Sequence, residues 1–223
     1  MKIAVLVPST SRNRTWNGPE DSYLNMFFKT FKETADPEHE YTFFVGVDDN
    51  DEYYIRNKAA FEKEDTRIVP LRVERGYVTH IWNALTKIAV EEGFDYLFQS
   101  GDDVQLDTPG WINKSIEILQ ASNNIGVTGP NDRNNGRLLT QTFVHRKHYE
   151  LFGFYFPPEI PNWFCDDWIN EVYEPVQRLP TNYTCFNSGG AARYEIVHCR
   201  ELCTRLVRRD RKILNNNLLG LHQ

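Results

Sequence analysis

One alternation runs through the first half of the chain: a short apolar run, then a stretch of helical periodicity. The apolar runs cover residues 3–7, 41–47, 67–73, 95–99 and 125–128. The first is apolar throughout, the pattern of a strand covered on both faces. After Pro19, Tyr23, Phe27 and Phe31 recur every four residues, with Leu24 and Phe28 beside them, which predicts a helix. Further helices are predicted over 52–64, over 79–92 and from Pro109 onward. Ile81, Leu85 and Ile88 mark the buried face of the second, which stops at Gly93. Ile112, Ile116 and Leu119 mark that of the third. Strand and helix in strict alternation close into an α/β fold, a mostly parallel central sheet flanked by helices.

The pattern changes after residue 130. Residues 131–136 are polar, and Pro157, Pro158 and Pro161 break up the apolar pieces that follow. A helix is predicted over 167–173, irregular strands over 180–198 around Gly189 and Gly190, and a basic helix over 200–214 before an Asn-rich tail. With 223 residues, 40% of them hydrophobic, a single domain over 1–223 is expected. Its parts would be a nucleotide-binding half (1–130), an irregular half (131–200) and a C-terminal helix and tail (200–223).

Composition removes several functions. Thirty-one acidic against 25 basic residues, a formal charge of −6, argue against nucleic acid as a partner. No apolar run approaches the ~20 residues of a membrane span. The N-terminal run reads as a strand rather than a leader, and Cys165, Cys185, Cys199 and Cys203 form no CxxC pair. Free thiols in a reducing, cytoplasmic setting are expected.

In open α/β sheets, ligands bind beyond the carboxyl ends of the strands. Here the first strand runs into Pro8, Ser9, Thr10, Ser11 and Arg12, the second into Asp48 and Asp49, and the fourth into Gly101, Asp102 and Asp103. Carboxylates gathered at adjacent strand ends repel one another unless a cation lies between them. Hard oxygen ligands with open positions suit Mn²⁺ or Mg²⁺ bridging to phosphates.

These residues carry a resemblance. The opening strand with Val-Pro-Ser-Thr-Ser-Arg, the acidic end of strand two, and Phe98-Gln99-Ser100-Gly101-Asp102-Asp103-Val104 resemble nucleotide-sugar glycosyltransferases of the GT-A fold, with short viral and bacterial members nearest in size. In that family an acidic motif after strand four holds a divalent metal on the donor's diphosphate. Gly101 stands where the family's first Asp is expected, so the resemblance implies a metal role for Asp103 and a ribose or secondary metal role for Asp102. Pro8 to Arg12 with Asp48 or Asp49 would cradle base and ribose, and Arg75 would pair with phosphate or sugar hydroxyls. Trp82 is expected in the core. Phe164-Cys165-Asp166-Asp167-Trp168 resembles the acceptor-side segment, which implies a general base there, Asp167 ahead of Asp166, with Asp166 also placed to cap a helix. A late histidine, His198, would add a metal ligand. The expected donor is a UDP-sugar, the acceptor a glycan or glycoprotein, and the transfer inverting.

Two other classes stand beside this one. A sugar nucleotidyltransferase needs a glycine-rich triphosphate loop after strand one, and no glycine occurs there before Gly18. A binding module for nucleotide sugars or glycans would bind without turnover. Haloacid-type phosphatases need an Asp directly after strand one, and dinucleotide dehydrogenases a glycine fingerprint there; both are missing.

Overall fold

The computed structural model describes residues 1–174, 180, 182–188 and 194–220. Its centre is a five-stranded sheet in the order β3-β2-β1-β4-β7. The parallel strands are β1 (Lys2–Pro8), β2 (Glu40–Asp48), β3 (Thr66–Leu71) and β4 (Tyr96–Gln99). At the edge, β7 (Thr142–His145) runs antiparallel to β4, with Gln99 opposite Thr142. The mostly parallel α/β sheet predicted from the alternation is therefore the one observed.

Side chains alternate between two cores, as a pleat of period two requires. Ile3, Val5 and Val7 point to one face, which α1 (Leu24–Thr34), α2 (Glu52–Phe61) and α4 (Trp111–Ala121) cover. Ala4 and Leu6 point to the other, under α3 (Val78–Glu91), α5 (Lys147–Phe152), α6 (Cys165–Val172) and α7 (Arg200–Gly220). On the first face the aromatic stripe seen in the sequence does the packing. Phe31 meets Phe43 edge-on at 5.0 Å and Trp111 at 6.1 Å. On the second, Gly46 lets α3 lie close on the sheet: a Cβ there would come within 2.4 Å of Ile81 Cγ2.

Three predicted elements differ. Pro19–Asp21 is a single 3₁₀ turn, and α1 starts only at Leu24. The strand expected over 125–128 is reduced to one bridge, Thr128 with Phe143, because β7 takes that sheet edge. The Asn-rich tail continues α7 through Gly220 instead of ending the helix near 214. Gly189 and Gly190 lie outside the described residues. A second, three-stranded sheet, β5 (Val104–Leu106), β8 (Thr184–Asn187) and β6 (Asn131–Asp132), follows β4 on the side where the strands end.

Candidate active site

A cavity of about 580 Å³ opens beyond the carboxyl ends of β1, β2 and β4, within the range usual for small-molecule sites. Its walls bring the two predicted halves together. Pro8, Ser9, Thr10, Arg12, Asp48, Asp102 and Asp103 line it together with Asp166 and Asp167.

At the end of β1, Ser9 is buried and links three groups. Its Oγ donates to Asp102 Oδ2 at 2.5 Å, so the Tyr54 hydroxyl, also 2.5 Å away, must donate to Ser9. Asp51 holds the next turn. It accepts from Ser11 N (2.8 Å), Ser11 Oγ (2.7 Å) and Thr10 Oγ1 (3.4 Å), and it caps α2. Ser11 therefore serves the loop and does not line the cavity. Arg12 pairs with Asp48 at 2.9 Å on the cavity wall. Burial, opposed by Arg12, still holds the Asp48 carboxyl above its ordinary range.

Past β4, Gly101 N donates to Gln141 Oε1 at 3.2 Å. A Cβ on Gly101 would sit 2.8 Å from Asp103 Oδ1, so the departure from the family pattern at this position makes room for that carboxylate. Asp102 is fully buried and Asp103 is 9% exposed. Burial raises both carboxyls; the Asp103 charge raises Asp102 further, and Arg14 acts against both rises. The Arg14 guanidinium lies 4.0 Å from the Tyr23 ring centre and 5.0 Å from that of Trp16.

These hard oxygen donors fit Mn²⁺ or Mg²⁺: two neighbouring carboxylates out of water carry charge that a divalent cation offsets. Among the described residues no group of three or more His, Cys, Asp or Glu forms a ready-made cage. That agrees with ions which take one or two carboxylates and complete their shell with phosphate oxygens and water.

Also on the cavity, α6 follows Phe164, which holds the left-handed conformation (φ 73°) despite its bulk, a costly geometry found chiefly where function demands it. Phe164 takes the N-cap position of α6, and Asp166 and Asp167 stand inside its first turn. Asp167 is clamped by Arg137 at 2.9 Å and Arg200 at 3.5 Å. Asp166 takes a weak bond from Cys165 Sγ (3.7 Å), and burial, then the Asp167 charge, push its carboxyl up to about 7. The expected capping role of Asp166 is thus not what the structure shows.

Arg75 and Asp49 are exposed and line nothing, although Glu74 and Gly76 beside Arg75 reach the cavity. His198 is also exposed; its ring packs against Trp163 (5.9 Å) and Phe164 (6.5 Å) and is not among the lining groups. Trp82 is 9% exposed, in the core as expected, with one side on the cavity. Sequence reasoning missed Asp51, Tyr54, Arg14, Arg137 and Asn162. All of them act through partners distant in the chain, for which no local motif exists.

No protein-family model matches the chain, and no curated protein matches it. Solved structures do match. TarS 1-349 from S. aureus in complex with UDP-GlcNAc superposes with a TM-score of 0.65 at 13% identity, over 94% of this chain and 66% of that one. The mannosyltransferase PcManGT from Pyrobaculum calidifontis, in complex with GDP-Man and Mn²⁺, gives 0.58 at 14% identity, over 84% and 58%. The likeness is one of fold. This chain shares the mostly parallel, helix-flanked architecture of those sugar-nucleotide complexes, and it spans less than two thirds of either protein.

Proposed function

We propose that this chain is a metal-dependent glycosyltransferase, moving a sugar from a nucleoside diphosphate donor, UDP-sugar by preference, to a hydroxyl of a glycan or glycoprotein with inversion. One observation carries the reading: a single cavity joins the acidic end of β4 to the carboxylate pair that opens α6. The fold shared with proteins solved around UDP-GlcNAc and GDP-Man supports the donor class.

Asp103, with Asp102 behind it, would hold Mn²⁺ or Mg²⁺, which when bound offsets the charge growing on the departing diphosphate. Ser9 and Tyr54 fix the Asp102 carboxylate. Arg12 and Asp48, both on the cavity wall, would hold base and ribose. In the same cavity, Asp166 takes the proton from the attacking hydroxyl as its oxygen bonds to the anomeric carbon and the diphosphate leaves. This role passes from Asp167 to Asp166 for two reasons. A general base works best with a pKa near the working pH, and the Asp166 carboxyl sits at about 7. Asp167 is held in two arginine pairs.

Calorimetry with UDP in Mn²⁺, and hydrolysis of UDP-sugars with Mn²⁺ followed by NMR, test the proposal. The parent chain should bind UDP more tightly than UTP and should release sugar slowly from its donor. In Asp103→Ala the Mn²⁺-dependent stabilisation by UDP should vanish, a loss of about 2.7 kcal/mol at ~100 times Kd. Undiminished Mn²⁺-dependent binding by Asp103→Ala would sink the metal assignment. A preference for UTP would favour nucleotidyl transfer, and binding without hydrolysis would favour a binding module.

A further inference from the structure

We propose that Trp163 is the stacking platform of a saccharide subsite at the cavity mouth, where a pyranose ring of the acceptor lies with its C–H face on the indole. The inference rests on the glycosyltransferase reading and adds the residue that would hold the acceptor's sugar ring. Among the described residues Trp163 stands apart from the other tryptophans. Trp82, Trp111 and Trp168 are buried and Trp16 packs on the core, while Trp163 is 45% exposed and lines the cavity. It lies three residues before Asp166 on the same wall.

A half-exposed indole could be an idle surface residue, but the backbone that carries this one is braced on both sides. Asn162, only 2% exposed, uses its whole amide to do so. Its Oδ1 accepts from Trp163 N at 2.7 Å and from Val197 N at 3.1 Å. Its Nδ2 donates to the carbonyls of Gly76 (2.9 Å) and Glu195 (3.1 Å). One buried side chain thus ties together three stretches of chain and sets Trp163 beside Val197, itself 41% exposed. The Trp163 carbonyl accepts from Cys199 Sγ at 3.5 Å, and the next carbonyl, of Phe164, from Cys203 Sγ at 3.6 Å. Burial raises both thiols, which keeps their protons available for these bonds. The His198 ring meets the indole near a right angle (74°).

A rigid, exposed aromatic face at the mouth of a polar cavity fits a ligand with one apolar face and a polar rim. A pyranose has that form: its axial C–H groups cover the ring while its hydroxyls remain hydrated or reach neighbouring polar groups. Because the backbone under the indole is already held, binding has less of the protein to order.

Saturation-transfer NMR tests this with methyl β-glucopyranoside, methyl β-galactopyranoside, methyl α-mannopyranoside and methyl N-acetyl-β-glucosaminide, each added to the full chain with UDP and Mn²⁺. At least one glycoside should receive saturation on the C–H protons of a single ring face. Trp163→Ala should weaken that glycoside about tenfold, Trp163→Phe by less, and neither should alter the Kd for UDP. Glycoside binding unchanged in Trp163→Ala overturns the platform, as does a wild type that binds UDP but none of the four glycosides. Loss of UDP affinity in Trp163→Ala would move the indole to the donor side and also overturns it. A wild type that fails to bind UDP in a separate titration overturns the glycosyltransferase reading instead, so the two failures are told apart.

Discussion

At the residue scale, the carboxyl of Asp166 concentrates the chemistry and a stability consequence in one group. Folded, it titrates at about 7, pushed up by burial and by Asp167; unfolded, it returns to the ordinary range near ~4. Between those values the native state binds the extra proton. The stability it confers is fully present below the unfolded pKa and is lost as pH rises through 7. Asp166→Asn, a mimic of the protonated form, should therefore match the parent near pH 4 and exceed it at pH 8. Urea unfolding should show that gap at on the order of 3–4 kcal/mol. The same substitution should lower kcat by ~10²–10⁴, and the parent's kcat should climb through the pKa of this group. Asp167→Asn should weaken its contacts with Arg137 and Arg200 and cost much less in kcat. A larger kcat loss in Asp167→Asn than in Asp166→Asn would return the base role to Asp167.

At the scale of elements, close packing of α3 on β2 turns on the absence of one side chain. A methyl group at position 46 would overlap Ile81 Cγ2 at 2.4 Å, and extra volume in a packed core costs about 1–3 kcal/mol. Gly46→Ala should lose stability of that order in denaturant unfolding and should weaken UDP binding too, since Ile81 and Trp82 line the cavity. An unchanged midpoint would mean that α3 floats more freely than its geometry indicates. Elements of this kind were legible in the sequence wherever local pattern decides. The apolar run of β1, the four-residue aromatic repeat of α1 and the Gly93 stop of α3 each have a local cause. β7 was not legible, because Thr142 to His145 is no more apolar than the 125–128 run it displaced from the sheet edge. The far end of α7 was hidden by its asparagines, which favour turns in isolation. In the site, the carboxylate clusters could be read because short acidic runs at strand ends are distinctive. The Asn162 knot could not, since its partners at Gly76 and Val197 lie 86 and 35 residues away.

For the whole molecule, the acceptor wall rests on the C-terminal helix. Trp168 of α6 donates its Nε1 proton to Asp210 Oδ2 of α7 at 3.0 Å, and Arg209 Nε pairs with the same buried carboxylate at 2.7 Å. Asp210→Ala would strand the indole proton in the core and leave Arg209 paired with Glu159 alone. The expected cost is about 2–3 kcal/mol, seen as a lower melting temperature. UDP binding should persist, because the donor-side strand ends lie far along the chain from α7. Equal loss of UDP binding and turnover would show the two walls to be energetically one.

The bracing of α6 by α7 also has a consequence in time. A chain synthesised from its N-terminus completes β1 to β4 and the helices between them well before residue 200 exists. Trp163, Asp166 and Trp168 are made earlier than the thiols of Cys199 and Cys203 and the carboxylate of Asp210 that hold them in place. The residues around Asp48 and Asp102 are thus made well before the α7 residues that brace α6, although the Asp103 carbonyl still awaits Ser188.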